Sequence, residues 1–202
     1  MKKTIKYLIV VAVIAVFSYF YAHVDKKIPI YDTSVDTAHY GNMGPLLQEQ
    51  EVEQTFICKK EVLSGVSIKC SLWGADGTEK YQYRILQADD KKELRKGEIL
   101  SKDVKNGRFH TIMFEDIKDA KNKEFIFEFV SETGVNGKTI TIYNVPKTKE
   151  TTSLQLDGNE FAKNTLALKT VSTIFDWETF IVVMVCGLYL YGFLKVLYRF
   201  FS

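Results

Sequence analysis

A strongly apolar stretch lies near each end of this chain, and nothing comparable lies between them. The first covers residues 7–22 and the second residues 177–194. Beyond Glu178 at an edge, neither stretch contains Asp, Glu, Lys or Arg. Each approaches the roughly 20 apolar residues that cross a bilayer as a helix. The residues between them are polar, charged and strand-like. The expected organisation is a water-soluble domain tied to one membrane at both ends. It divides into an N-terminal transmembrane anchor with a cytoplasmic lysine flank (1–24), an irregular linker (25–51), an extracytoplasmic β-sandwich (52–172), and a C-terminal transmembrane helix with a cytoplasmic tail (173–202).

Flanking charge sets the expected orientation. Lys2, Lys3 and Lys6 precede the first stretch, and Lys195 and Arg199 follow the second. Short flanks rich in Lys and Arg stay cytoplasmic. Both termini are therefore expected inside the cell membrane, with two passes and the central domain outside. The centre itself is nearly neutral: residues 23–176 carry 22 Lys and Arg against 24 Asp and Glu. No basic patch suggests a nucleic-acid partner. The residues before Ala22 are the bulky Tyr19, Phe20 and Tyr21 rather than the small residues of a signal cleavage site, so the first stretch reads as an uncleaved anchor. Tyr19 and Tyr21, then Phe175 and Trp177, read as membrane-interface anchors at the outer surface, with Tyr198 at the inner one. Gly187 and Gly192 lack the four-residue spacing of a close helix-packing motif, so both helices read as lipid-facing anchors.

The centre switches to a two-residue period. Val66, Ile68, Cys70 and Leu72 alternate with polar neighbours, as do Tyr81, Tyr83 and Ile85, and then Phe125, Phe127 and Phe129. Further strand candidates cover 52–58, 109–114, 139–143, 154–156 and 166–171. Turn signals separate them, notably Asn136-Gly137 and Asp157-Gly158. Residues 91–96 are at most a short helical turn. Eight or so short strands without crossover helices predict an all-β ectodomain, an antiparallel β-sandwich of jelly-roll type, flanked by two transmembrane α-helices.

Chemistry is sparse. Cys58 and Cys70 fall in neighbouring strand candidates. If those strands form a hairpin around residues 61–65 and the two cysteines lie across from each other, the thiols bridge; otherwise both are small buried apolar residues, and periodicity alone does not fix the register. Two cysteines twelve apart, with no histidine nearby, lack a zinc ligand set, so no metal is expected. His23, His39 and His110 have no nucleophile or paired carboxylate at a recognisable spacing. No nucleophile elbow, phosphate loop or zinc helix is present, so no cofactor and no catalytic residue is assigned and an enzyme is not expected. Trp73, Tyr81, Tyr83 and Tyr143 are candidate glycan contacts, because aromatic faces stack on sugar rings. The competing reading puts Tyr81 and Tyr83 in the core. Trp73 is out of phase with the apolar face of its strand.

Several segments carry a resemblance. Glu53-Gln54-Thr55-Phe56, the run from Leu63-Ser64-Gly65 to Val66-Ser67-Ile68, Trp73-Gly74 and Lys123-Glu124-Phe125 resemble an extracytoplasmic β-sandwich module of Gram-positive membrane proteins linked to cell-surface polysaccharide assembly. Phe175-Asp176-Trp177-Glu178-Thr179-Phe180 is similar to the ending of small two-span members. The resemblance covers residues 29–200 and its motifs are structural. It implies a Gram-positive envelope and a glycan pathway, and it transfers no active residue. The functional expectation is a membrane-anchored accessory protein whose sandwich binds a cell-surface glycan or a partner in polysaccharide assembly or export. The alternative is a structural subunit of a larger membrane transporter or glycosyltransferase, with no ligand of its own. The lipid bilayer is a partner in either case.

Overall fold

A computed structural model describes residues 2–148 and 152–201. The elements in chain order are α1 (Lys2–Tyr21), β1 (His23–Pro29), β2 (Gly41–Asn42), β3 (Glu51–Ile57), β4 (Leu63–Trp73), β5 (Lys80–Gln87), β6 (Glu93–Leu100), β7 (Arg108–Ile117), β8 (Glu124–Ser131), β9 (Thr139–Pro146), β10 (Leu154–Leu156), β11 (Asn159–Glu160), β12 (Asn164–Leu166), β13 (Leu168–Phe175) and α2 (Trp177–Phe201). They form two compact units. Met1–Lys26 with Thr173–Ser202 is one, and Lys27–Ser172 is the other.

The larger unit is built from two antiparallel sheets. One runs β1-β13-β4-β9-β12, with β7 also on β4 and β2 also on β9; the other runs β11-β10-β3-β8-β5-β6. Alternation places the apolar residues. Val66, Ile68 and Cys70 of β4 and Ile140 and Ile142 of β9 point inward from the first sheet. Val52 and Phe56 of β3, Tyr81 and Ile85 of β5, and Phe125, Phe127 and Phe129 of β8 point inward from the second. All belong to one core cluster. Burying each such side chain contributes roughly 1.5–3 kcal/mol. Gln54 interrupts this core with amide chemistry. It is fully buried on β3, and its Oε1 accepts from the Leu166 backbone N–H at 2.7 Å, so it links an inner strand of one sheet to β12 of the other.

Several expectations needed correction. Residues 25–51 are not an irregular linker. They contain β1 and β2 and bury Ile30, Tyr31, Met43 and Leu46. The Ile30 N–H donates to the Leu168 carbonyl at 3.1 Å, and that pairing overrides a composition rich in Lys and Pro. The β3–β4 hairpin does not form, because the two strands lie in different sheets. Residues 91–96 contain no helical turn. They enter β6, which pairs with β5 along Lys80–Gln87. Gly97 is suited to that place, since a Cβ there would meet the Tyr83 ring at 2.7 Å. Asp157-Gly158 does close a tight hairpin between β10 and β11, with positive φ at both turn residues.

The smaller unit pairs α1 with α2. Among the described residues, only α2 is long and apolar enough by itself to cross a membrane; the apolar part of α1 is the shorter Ile5–Tyr21. Gly187 packs closely on α1, where a Cβ would come within 2.7 Å of Ile14 Cγ2. Gly187 is therefore a packing residue, despite lacking a glycine partner at four-residue spacing. Ser18 Oγ bonds back to the Ile14 carbonyl at 2.8 Å, and the Asp176 N–H donates to the Ala22 carbonyl at 2.8 Å.

Candidate functional site

Strand alternation gives the β1–β12 sheet an outer face, and residues 31–40 fold onto it. On β4 the outward residues are Ser67 and Lys69. Register sets Phe109 of β7 beside Lys69, Thr111 of β7 beside Ser67, and Lys169 of β13 on the other side of Ser67. Tyr143 of β9 and Tyr31 and Tyr40 of the folded-over segment complete a small second cluster with Val145 and Ala167. Tyr31 stacks on Phe109 with centroids 6.5 Å apart and meets Tyr40 edge-on at 6.1 Å. Burial, with a smaller contribution from Tyr40, pushes the Tyr31 phenol well above its ordinary value, so it stays protonated. Tyr40, Phe109 and Tyr143 remain half-exposed. The face thus carries half-exposed aromatic rings, and between its strands a hydroxyl pair, buried Ser67 Oγ and half-buried Thr111 Oγ1, 3.0 Å apart.

The aromatics expected to contact glycan separate. Tyr81 and Tyr83 are buried at 0% and 7% exposure, and the Tyr81 hydroxyl accepts from the Ile140 N–H at 3.0 Å. They are core residues and form no platform. Trp73 stands exposed at the end of β4, and Tyr143 belongs to the cluster just described. Trp73 and Tyr143 do not share a flat surface with the other two. Register was the missing information for the real cluster: Lys69 and Phe109 are far apart in sequence, and Tyr31 and Tyr40 lie in a segment with no periodicity.

Cys58 and Cys70 are free thiols, both fully buried. Cys58 follows β3 in one sheet, and Cys70 pairs with Ile142 in the other. The bridge expected from a β3–β4 hairpin is therefore absent along with the hairpin. Burial pushes both thiols above their ordinary pKa, so neither is a reactive thiolate.

On the opposite sheet, Glu51, Glu53 and Glu128 bring carboxylate oxygens within 4.8 Å of one another. Arg84 already occupies that position. Its Nε lies 2.6 Å from Glu128 Oε2, and its Nη2 lies 3.4 Å from Glu51. Burial raises the Glu128 pKa, opposed by Arg84 and reinforced by Glu51 and Glu53. This is an ion-pair cluster. A cleft of about 230 Å³ is lined by Ile28, Ile30, Ile57 and Thr170 together with Lys59 and Asn122. Within the helical unit, Tyr19, His23, Phe175, Trp177 and Phe180 gather into one aromatic group; Phe175 and Trp177 meet edge-on at 4.9 Å. Tyr21 stacks on Phe17, and Tyr198 is exposed towards the other end of α2.

No family model and no curated protein matches the chain. Among solved structures it is similar to the cysteine protease and lectin-like domains of a surface layer associated protein of Clostridium difficile. The two share 8% sequence identity at a TM-score of 0.36. The match covers 68% of this chain and 37% of that one, and it is too loose to define a common fold.

Proposed function

We propose that this chain is a membrane-anchored accessory protein of the cell envelope whose outer sheet face binds a saccharide during surface-polysaccharide assembly or export. The reading holds that α1 and α2 both span the membrane, with cytoplasmic termini and an extracytoplasmic sandwich, and that the protein works by binding rather than catalysis. One observation carries the binding limb: the half-exposed rings of Tyr40, Phe109 and Tyr143 share an outward sheet face with the half-buried Thr111 hydroxyl. Rings that present apolar faces beside hydrogen-bonding groups suit the C–H faces and hydroxyls of sugars. The resemblance to envelope modules of Gram-positive bacteria supports the same setting. Titration of the full chain in nanodiscs with purified envelope polysaccharides tests the reading. Saturable binding lost in Phe109→Ala with Tyr143→Ala is expected, and absence of binding to every envelope polysaccharide overturns it. Protease protection on intact protoplasts tests the topology: the loops near Lys60 and Lys121 are expected to be cut from outside.

A second reading is favoured by the helical unit. An apolar groove of about 440 Å³ runs along α1 and α2 past Phe17, Val182, Cys186 and Leu190. An assembly subunit of a larger transporter or glycosyltransferase would seat a partner helix there. Mild-detergent purification from the native host tests it. A lone, monodisperse protein is the result that refutes it.

A further inference from the structure

The rings of the outer face hold ammonium groups. Lys69 Nζ lies 4.8 Å from the Tyr40 centroid and 5.0 Å from that of Tyr143. Lys169 Nζ lies 4.1 Å from the Phe109 centroid. Lys27 Nζ donates to Thr111 Oγ1 at 2.8 Å. Three cations from three different strands thus gather on one sheet face: Lys27 reaches Thr111, and register sets Lys169 directly beside Ser67, two residues from Lys69. Among the described residues, none of the three has a carboxylate within ion-pair distance. Elsewhere on the domain charges are mixed: Arg84 meets Glu51 and Glu128, Lys91 meets Glu53, and Lys138 meets Asp76.

A stapling role explains part of this. Lys69 between Tyr40 and Tyr143 fastens the folded-over segment to the sheet. It does not explain why Lys27 and Lys169 stand beside it. Clustered like charges repel, and a neutral residue at either position would pack without that cost. Burial, then the proximity of Lys27 and Lys69, lowers the pKa of Lys169. An anion arriving from solvent removes the repulsion and finds donors already held in place by rings and hydroxyls. An ammonium is a compact charge with three donors, suited to a phosphate or carboxylate oxygen.

We infer that the face around Lys27, Lys69 and Lys169 selects an anionic saccharide, a glycan chain bearing phosphate or carboxylate groups. The inference rests on the saccharide-binding reading above and adds charge as its selecting feature.

The test uses the full chain in nanodiscs of phosphatidylcholine, titrated calorimetrically with poly(glycerol phosphate), polygalacturonate and neutral dextran. Binding to one or both charged polymers and not to dextran is expected, and which of the two binds identifies the acid group. Affinity should fall as ionic strength rises from about 0.05 to about 0.5 M, because salt screens exposed charge. Lys69→Gln and Lys169→Gln should each weaken binding about tenfold, the scale of one charge-assisted hydrogen bond. Lys169→Arg should retain it, which separates lost charge from lost folding. Lys91→Gln with Lys92→Gln, in the turn between β5 and β6 of the other sheet, should change nothing; an equal loss there reduces the effect to general polyelectrolyte attraction and overturns the inference. Dextran binding as tight as the charged polymers, unaffected by the lysine variants, overturns charge selection and leaves the saccharide reading standing. Capture by phosphatidylglycerol nanodiscs that needs Lys69 and Lys169, with no polymer bound, overturns both in favour of a lipid surface.

Discussion

Replacing Gln54 by leucine removes a polar link between the two sheets while keeping side-chain volume. Gln54 Oε1 accepts from the Leu166 N–H at 2.7 Å and from Thr165 Oγ1 at 3.2 Å. Its Nε2 donates to the carbonyls of Thr55 and Ser153 at 2.8 and 2.9 Å. The Ser153 carbonyl keeps a second donor, the Thr55 N–H, so its loss is mild. The Leu166 N–H and the Thr165 hydroxyl are buried and lose this acceptor. Leaving a buried donor unsatisfied costs about 1–3 kcal/mol, and the hydroxyl adds about 1 kcal/mol, so Gln54→Leu should destabilise by about 3 kcal/mol. At roughly 2–4 °C per kcal/mol for a domain of this size, the melting temperature falls by about 6–12 °C. Thermal melts of the full chain in detergent, followed by near-ultraviolet circular dichroism, read the shift. Gln87→Leu, on the same sheet, is the control and should shift little. A fall of less than about 2 °C for Gln54→Leu would refute the idea that this amide joins the sheets.

Three further outcomes follow from the geometry. Cys58 and Cys70 should both alkylate completely in unfolded, unreduced protein, and Cys70→Ser should cost about 1–3 kcal/mol by burying a hydroxyl in the core; protection of either thiol from alkylation would restore a bridge. Burial holds the His110 pKa below its ordinary 6.5, against a weaker opposing pull from Asp103, so the stability it contributes is present above that value and is lost as pH falls through the folded pKa. Melts at about pH 8 and about pH 5 should show a steeper acid loss for the wild type than for His110→Gln, and parallel slopes would contradict this. Gly187→Leu should separate α1 from α2, because its side chain would enter Ile14; cysteine cross-linking between positions 18 and 184, whose side chains meet across the helices, should drop, and unchanged cross-linking would remove Gly187 from the contact.

The inner faces were legible because one side of each strand is buried. Val66, Ile68 and Cys70 and the three phenylalanines of β8 lie where their alternation put them. Alternation names a face and not a neighbour, which is why β3 and β4 read as a hairpin and lie in different sheets. β6 was illegible because Glu93, Leu94, Arg95 and Lys96 favour helix by themselves; pairing with β5 decides their state. β1 was hidden in the same way by Asp25, Lys26, Lys27 and Pro29. The outer lysine cluster needed both missing facts at once, the register of β4 against β7 and β13, and the folding-over of Tyr31 and Tyr40.

A bare sheet edge is a seed for polymerisation wherever copies of a chain are crowded together. β6 is the free margin of its sheet. Lys96 pairs with Glu93 along it, and Arg95 reaches from it to the Glu115 and Asp116 carbonyls of β7. The opposite margin, β11, is only two residues long. Charge on one rim and brevity on the other make poor templates for a neighbouring strand. Neither margin of that sheet therefore invites a strand from a second copy.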